Sequence, residues 1–247
     1  KRRDFIRVSA VGAGAAALLA GCTTPAPETS SSSPLDNLKS ITDDIVPISL
    51  DERKARIEKA QRLMVENKID AIYLDGGTTM EYFTGIRWGT SERMMAVIIP
   101  AKGELKYVGP HFEEERIREL MKLGTDLRVW EEHESPYKLV AQIFKDLGLR
   151  SGRIGMEERV RFFLFDGIRK EAPAFEYVSA DPITIPCRII KSAAEIALMQ
   201  KANDITLESY KVAIAMLTEG MTQQDFSNIV SQAHTKLGSR GGAFVSF

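Results

Sequence analysis

Pro186-Cys187-Arg188-Ile189-Ile190-Lys191-Ser192-Ala193-Ala194-Glu195-Ile196-Ala197-Leu198-Met199-Gln200-Lys201-Ala202 is where the chain changes character. Pro182 and Pro186 lack amide donors and disfavour helix in the residues before them, which predicts an extended segment as far as Arg188. Ser192 and Glu195 then stand at the spacing at which each side chain satisfies an orphan amide at a helix start. A long helix is expected to follow, with Leu198, Ala202, Ile205, Val212 and Met216 on one buried stripe. The stretch reads as a joint, with one domain over residues 47–185 and a second beginning at 186.

Upstream of the joint, Ser49 and Glu52 form a second capping pattern before a helical face of Ile57, Ala60, Leu63 and Met64. Residues 70–74 read as a strand broken by Gly76-Gly77, and 94–99 as a second strand ended by Pro100. Gly103 turns that strand into a hairpin with 104–108. Helix is expected over 112–123, strand over 127–130, and helix from Ser135-Pro136 to Gly148. A strand at 154–157, a helix at 162–171 and a strand at 175–178 complete the series. Alternating strands and helices with one hairpin predict an α/β layer structure with a mixed sheet.

Two motifs give this pattern a family likeness. Arg188, Lys191, Ser192 and Glu195 resemble the start of the pita-bread domain in the Xaa-Pro aminopeptidase, prolidase and creatinase family. Tyr82-Phe83-Thr84-Gly85 is similar to that family's Tyr-Leu/Phe-Thr-Gly turn, and the resemblance covers nearly all of residues 47–185. It implies a creatinase-type N-terminal domain with mixed sheet and flanking helices. The first helices of a truncated α+β pita-bread domain would follow over 186–247.

In several relatives the loop after this turn crosses a homodimer interface to the neighbouring active-site mouth. On that resemblance Arg87, Trp88, Glu92 and Arg93 are candidate contacts to a short peptide substrate. An arginine fork suits a peptide carboxylate, and Glu92 suits a free amino terminus. The same residues equally fit a surface loop with a weak Arg–Glu pair and a packed Trp88. Glu131-Glu132-His133-Glu134 reads as a solvated acidic corner, and Glu113-Glu114-Glu115 as negative charge favouring a helix start.

Downstream, Gly220 is expected as a left-handed helix cap, and Thr222 opens a helix with Phe226, Ile229, Val230 and Ala233 on one face. His234 reads as a packed or surface histidine rather than a metal ligand. Gly241-Gly242-Ala243-Phe244-Val245-Ser246-Phe247 resembles the strand before the family's first active-site histidine. The resemblance implies two divalent metal ions (Mn, Co or Zn), held by Asp, His and Glu ligands beyond Phe247. Such a pair lowers the pKa of a shared water and polarises the scissile carbonyl. No catalytic or metal residue is therefore assigned within 1–247, and this stretch alone is expected to be inactive. A creatinase-like amidinohydrolase and a non-catalytic pita-bread binding module share the fold and stay open as alternatives.

The chain has 247 residues, 44% hydrophobic and 27% charged, enough to bury a real core. A formal net charge of −1 offers no basic field for a nucleic-acid backbone. Cys22 and Cys187 make no disulfide framework, and His111, His133 and His234 show no zinc-site spacing.

At the start, Arg2-Arg3 before a small apolar run reads as a twin-arginine export signal over residues 1–22. Leu19-Ala20-Gly21-Cys22 closes that run and resembles a lipobox, which makes Cys22 a lipidation candidate anchoring the protein to a cell-envelope membrane. A plain secretory leader is the alternative. Residues 23–46, with Thr, Pro, Ser and Ala prominent at their start, are expected to form a flexible tether.

Overall fold

Strand β1, Ala71–Asp75, is buried at every position and sits inside a six-stranded sheet. The strands are β2 (Ala96–Pro100), β3 (Lys106–Pro110), β4 (Asp126–Trp130), β5 (Gly152–Met156) and β6 (Phe175–Ser179), in spatial order β4-β3-β2-β1-β5-β6. β1, β2 and β3 pair antiparallel through the expected hairpin, while β3–β4, β1–β5 and β5–β6 pair parallel. The computed structural model describes residues 33–239. The leader, Cys22, the first part of the tether and the glycine-led run at 241–247 lie outside the described residues.

The sheet's alternation builds two cores. Ile72, Leu74, Val97, Ile99 and Tyr107 face α1 (Leu50–Asn67), α2 (Thr78–Thr84), α3 (Glu114–Leu120) and α6 (Asp181–Arg188). Ala71, Tyr73, Ala96, Ile98, Val108 and Ile154 face α4 (Pro136–Asp146) and α5 (Phe162–Glu171). Covering both faces explains why the central strands are apolar throughout. Each fully buried large apolar side chain contributes about 1.5–3 kcal/mol relative to exposure. The architecture is the mixed α/β arrangement expected from the sequence.

Three local expectations fail for identifiable reasons. The segment before Arg188 is not extended; it is α6, with Pro182 in the first turn and Pro186 inside. Pro182 loses nothing there, because a first-turn amide has no intrahelical partner. Burial of Ile183 and Cys187 in the core beside α1 outweighs the bond Pro186 forgoes, and Lys59 Nζ donates to the Pro186 carbonyl at 2.7 Å.

The long helix does form, as α7 (Ala193–Ala215), but its buried stripe is Ile205, Ser209 and Ala213. Small residues face α8 (Gln223–Lys236) because Val230 and Ala233 approach closely there. Ala202 is exposed, as are Ile196, Met199, Leu207 and Ile214. Helix over 112–123 is shorter than expected: a 3-10 turn at His111–Glu113 leads into α3, which ends at Leu120.

Residues 33–46 fall within the expected tether, and their side chains engage the α7–α8 pair. The 3-10 helix Pro34–Asn37 buries Leu35 with Ala213 and Val230. Ion pairs join Asp36 to Lys236 at 3.0 Å and Asp44 to Lys201 at 2.9 Å.

Candidate functional site

The site begins where β1 runs out. Gly77, at φ 145°, makes the turn into α2, and Gly85, at φ 82°, closes that helix in the left-handed region glycine favours. The family-like turn Tyr82-Phe83-Thr84-Gly85 is therefore a helix end, with Phe83 driven into the core. Two arginines from α1 meet the carbonyls left open there. Arg53 Nη1 donates to Glu81 O at 2.6 Å, and Arg56 Nη1 donates to Tyr82 O at 2.9 Å.

Arg56 is the centre of the joint. It is 7% exposed, pairs with Glu52 one helical turn away and reaches Glu195 at 3.3 Å. Its guanidinium lies 4.1 Å from the centre of the Tyr82 ring, whose hydroxyl donates to the Cys187 carbonyl at 2.6 Å. Ser192 caps α7 in the reciprocal box expected with Glu195, and its hydroxyl also donates to Glu52 at 2.8 Å. Burial pushes the Glu52 carboxyl up, but hydrogen bonds from Ser192 and Arg56 outweigh it and hold the group below the usual carboxylate range. The Cys187 thiol and Tyr82 hydroxyl are both pushed up by burial. Cys187 is thus a packed thiol.

Between α2, α6 and the start of α7 lies a cleft of about 600 Å³. On its floor Thr79 Oγ1 donates to Glu157 at 2.9 Å and accepts from Arg188 Nη1 at 3.1 Å. Burial raises the Glu157 carboxyl, and the hydrogen bond from Thr79 offsets only part of that; Arg188 and Lys191 line the same cleft.

The four loop residues singled out as substrate contacts are not drawn into that cleft. The Arg87 side chain is 87% exposed and sits 3.6 Å from Glu81. Trp88 packs partly into the core, with the Arg116 guanidinium 4.9 Å from its ring centre. Arg93 pairs with Glu92 and with Glu132, the latter at 2.7 Å, above the ring of Phe112. These partners leave the loop's charges on the surface in separate pairs.

Sequence reading missed Arg56, Thr79 and Glu157, and took Glu52 as a helix cap without its part in the joint. The four-residue spacing of Glu52 and Arg56 was the available signal, but it matches the many exposed pairs that lace helix surfaces. His234 is packed as expected, with Nδ1 2.9 Å from Val230 O and Nε2 3.3 Å from Thr206 Oγ1. Among the described residues no group of three or more His, Cys, Asp or Glu is placed to hold a metal ion. The resemblance places the ligands of its bimetallic centre beyond Phe247, outside the described residues. No described helix is long and apolar enough to cross a membrane.

Residues 56–190 match the Creatinase/Prolidase N-terminal domain. The chain belongs to the creatinase/prolidase family. An Xaa-Pro dipeptidase of Pyrococcus furiosus is 25% identical over 77% of this chain and 51% of its own length. An uncharacterized peptidase of Schizosaccharomyces pombe is 27% identical over 72% of this chain and 41% of its own. Among solved structures, a dipeptidase from Mycobacterium ulcerans superposes with a TM-score of 0.72 at 23% identity, covering 81% of this chain and 53% of that one. A prolidase from Thermococcus sibiricus gives 0.67 at 22% identity, covering 76% and 50%. The creatinase/prolidase chain described here thus spans about half the length of the curated relatives it matches. As a member of this family it places the family-like turn and the start of its second helical unit in one hydrogen-bonded joint.

Proposed function

We propose that this chain is the amino-terminal part of an exported Xaa-Pro-type metallopeptidase that hydrolyses short peptides next to proline. The observation that carries the reading is the family match over residues 56–190, together with relatives called Xaa-Pro dipeptidases of which the chain spans half. On this reading two divalent ions (Mn, Co or Zn) are held by residues beyond Phe247. The protein works as a homodimer, and Arg87, Trp88, Glu92 and Arg93 meet the peptide across the interface. The twin-arginine leader exports the protein, and a lipid on Cys22 keeps it at the cell envelope.

The test is the product of the complete reading frame, assayed on an Xaa-Pro dipeptide with metal analysis alongside. Hydrolysis that falls at least about tenfold on chelation and returns with Mn, Co or Zn is the expected result. A metal-loaded protein that leaves the dipeptide intact overturns it, with creatine turnover marking an amidinohydrolase. Radiolabelled palmitate should enter the wild-type protein and not Cys22→Ala. Equal incorporation removes the anchor from the proposal.

A further inference from the structure

Between Gly85 and β2 the chain has no helix or strand, yet it carries all four of the loop residues proposed to meet the peptide. What holds such a segment decides where those side chains stand. Part of the hold is steric. Gly76 runs so close beneath the loop that an added Cβ would lie 3.3 Å from the carbonyl oxygens of both Trp88 and Gly89. Part is at the far end, where Trp130 Nε1 donates to the Met94 carbonyl at 3.2 Å. The middle of the loop is held by Arg161. Its Nη1 donates to the Ser91 carbonyl, while Nε donates to Asp75 Oδ2 at 3.1 Å and Nη2 to Asp75 Oδ1 at 3.3 Å.

We propose that Arg161 is a positioning residue for the 86–93 loop, bridging the buried Asp75 carboxylate and the Ser91 carbonyl so that the loop's peptide-contacting side chains are fixed relative to the sheet. The proposal rests on the reading of that loop given above. Asp75 makes a good fixed point: it is the last residue of β1, 3% exposed, with β2 and β5 paired on either side. Arg161 is equally well founded, standing at the N-cap of α5 with its guanidinium 5.0 Å from the Phe163 ring centre. A planar fork with five donors can serve both partners at once, which a lysine ammonium on a flexible stem cannot do in the same geometry.

Stability alone does not account for the arrangement. Burial pushes the Asp75 carboxyl up even with Arg161 beside it, so the ionised pair forms against a desolvation cost that an apolar pair would not carry. The geometric outcome of the pair is a loop carbonyl tied to the end of the central strand.

The full reading-frame product carrying Arg161→Lys, Arg161→Ala or Asp75→Asn tests this through Xaa-Pro dipeptide kinetics and amide hydrogen exchange. Expected is a rise in KM of about tenfold with kcat within about twofold, because the loop is displaced while the reacting groups are untouched. Exchange should speed up in 86–93 and stay slow in β1 and β5. Arg161→Lys keeps charge beside Asp75 and guards against simple misfolding. Unchanged KM and unchanged loop exchange, with Arg93→Ala still raising KM, overturns the positioning role. Exchange accelerated evenly through the sheet also overturns it, in favour of a plain structural pair. If Arg161 variants free the loop but neither they nor Arg93→Ala alter KM, the peptide reading of the loop fails while Arg161's hold on the loop is supported.

Discussion

The joint at Arg56 and the loop at Arg93 present the same chemistry in opposite settings. Each has an arginine with two carboxylates and an aromatic ring beneath it. At the joint the arginine is 7% exposed, its carboxylates belong to α1 and to the α7 cap, and a hydroxyl of Ser192 completes the set. At the loop the Arg93 side chain is 40% exposed, Glu92 is its chain neighbour, and Glu132 comes from an exposed corner. Desolvation makes the first set costly to break and leaves the second nearly free to exchange partners with water. The same set of groups therefore forms a buried joint in one place and a solvated surface cluster in the other.

The sharpest way to break the comparison is Arg56→Ala. It removes the one cation shared by Glu52, Glu195 and the Tyr82 carbonyl, leaving them to Ser192 and Arg53, and should cost about 3 kcal/mol in urea unfolding. A loss under about 1 kcal/mol would mean that the joint is no more than a surface pair. Tyr82→Phe comes next: it leaves the ring under Arg56 and removes only the bond to the Cys187 carbonyl, for about 1 kcal/mol.

Acid separates two kinds of carboxylate, Glu52 in the joint and Glu157 in the cleft. Glu52 is held below its ordinary value, so its contribution is present above the unfolded pKa of about 4.3 and lost as pH falls through the folded one. Glu157 is raised, so the penalty for ionising it appears as pH climbs from about 4.3 through the folded pKa. Glu52→Gln should therefore flatten the acid decline of stability, whereas Glu157→Gln should gain on wild type between about pH 4 and neutrality. Parallel stability curves for the two variants would contradict the signs. Smallest of all, Arg93→Ala should leave the urea unfolding midpoint essentially unmoved, because its partners stay solvated. A clear drop would place the loop in the same class as the joint.

Much of the sheet was legible because Gly and Pro punctuate it. Gly76-Gly77, Pro100, Gly103 and Gly124 each stand at or just outside an element end, and β2–β3 pair as the hairpin the sequence suggests. Helix α2 escaped notice because its seven residues are too few to show a period. α6 was misread because a local rule about Pro186 cannot see that Ile183 and Cys187 find a core beside α1. The stripe on α7 was misplaced because three- and four-residue spacing fits more than one face of so long a helix, and close approach to α8 selects the face of Ile205, Ser209 and Ala213. At the site, Ser192 and Glu195 could be read as a cap but not as partners of α1, since the bond from Ser192 to Glu52 joins residues far apart in sequence. Glu157 offered no signal at all: beside Glu158 at the end of a strand it looks like any loop acid until Thr79 is folded against it.

The Pro34–Asn37 turn rests on α7 and α8, far along the chain from where it is made. Synthesis must therefore finish α8 before this first turn has anything to dock on, and early segments wait undocked until then. Once seated, the turn also sets the route of mechanical load: a pull at Ser33 meets the helical pair first, through Leu35, the Asp36–Lys236 and Asp44–Lys201 pairs and the Ile41–Leu237 backbone bond, before it reaches the six-stranded sheet.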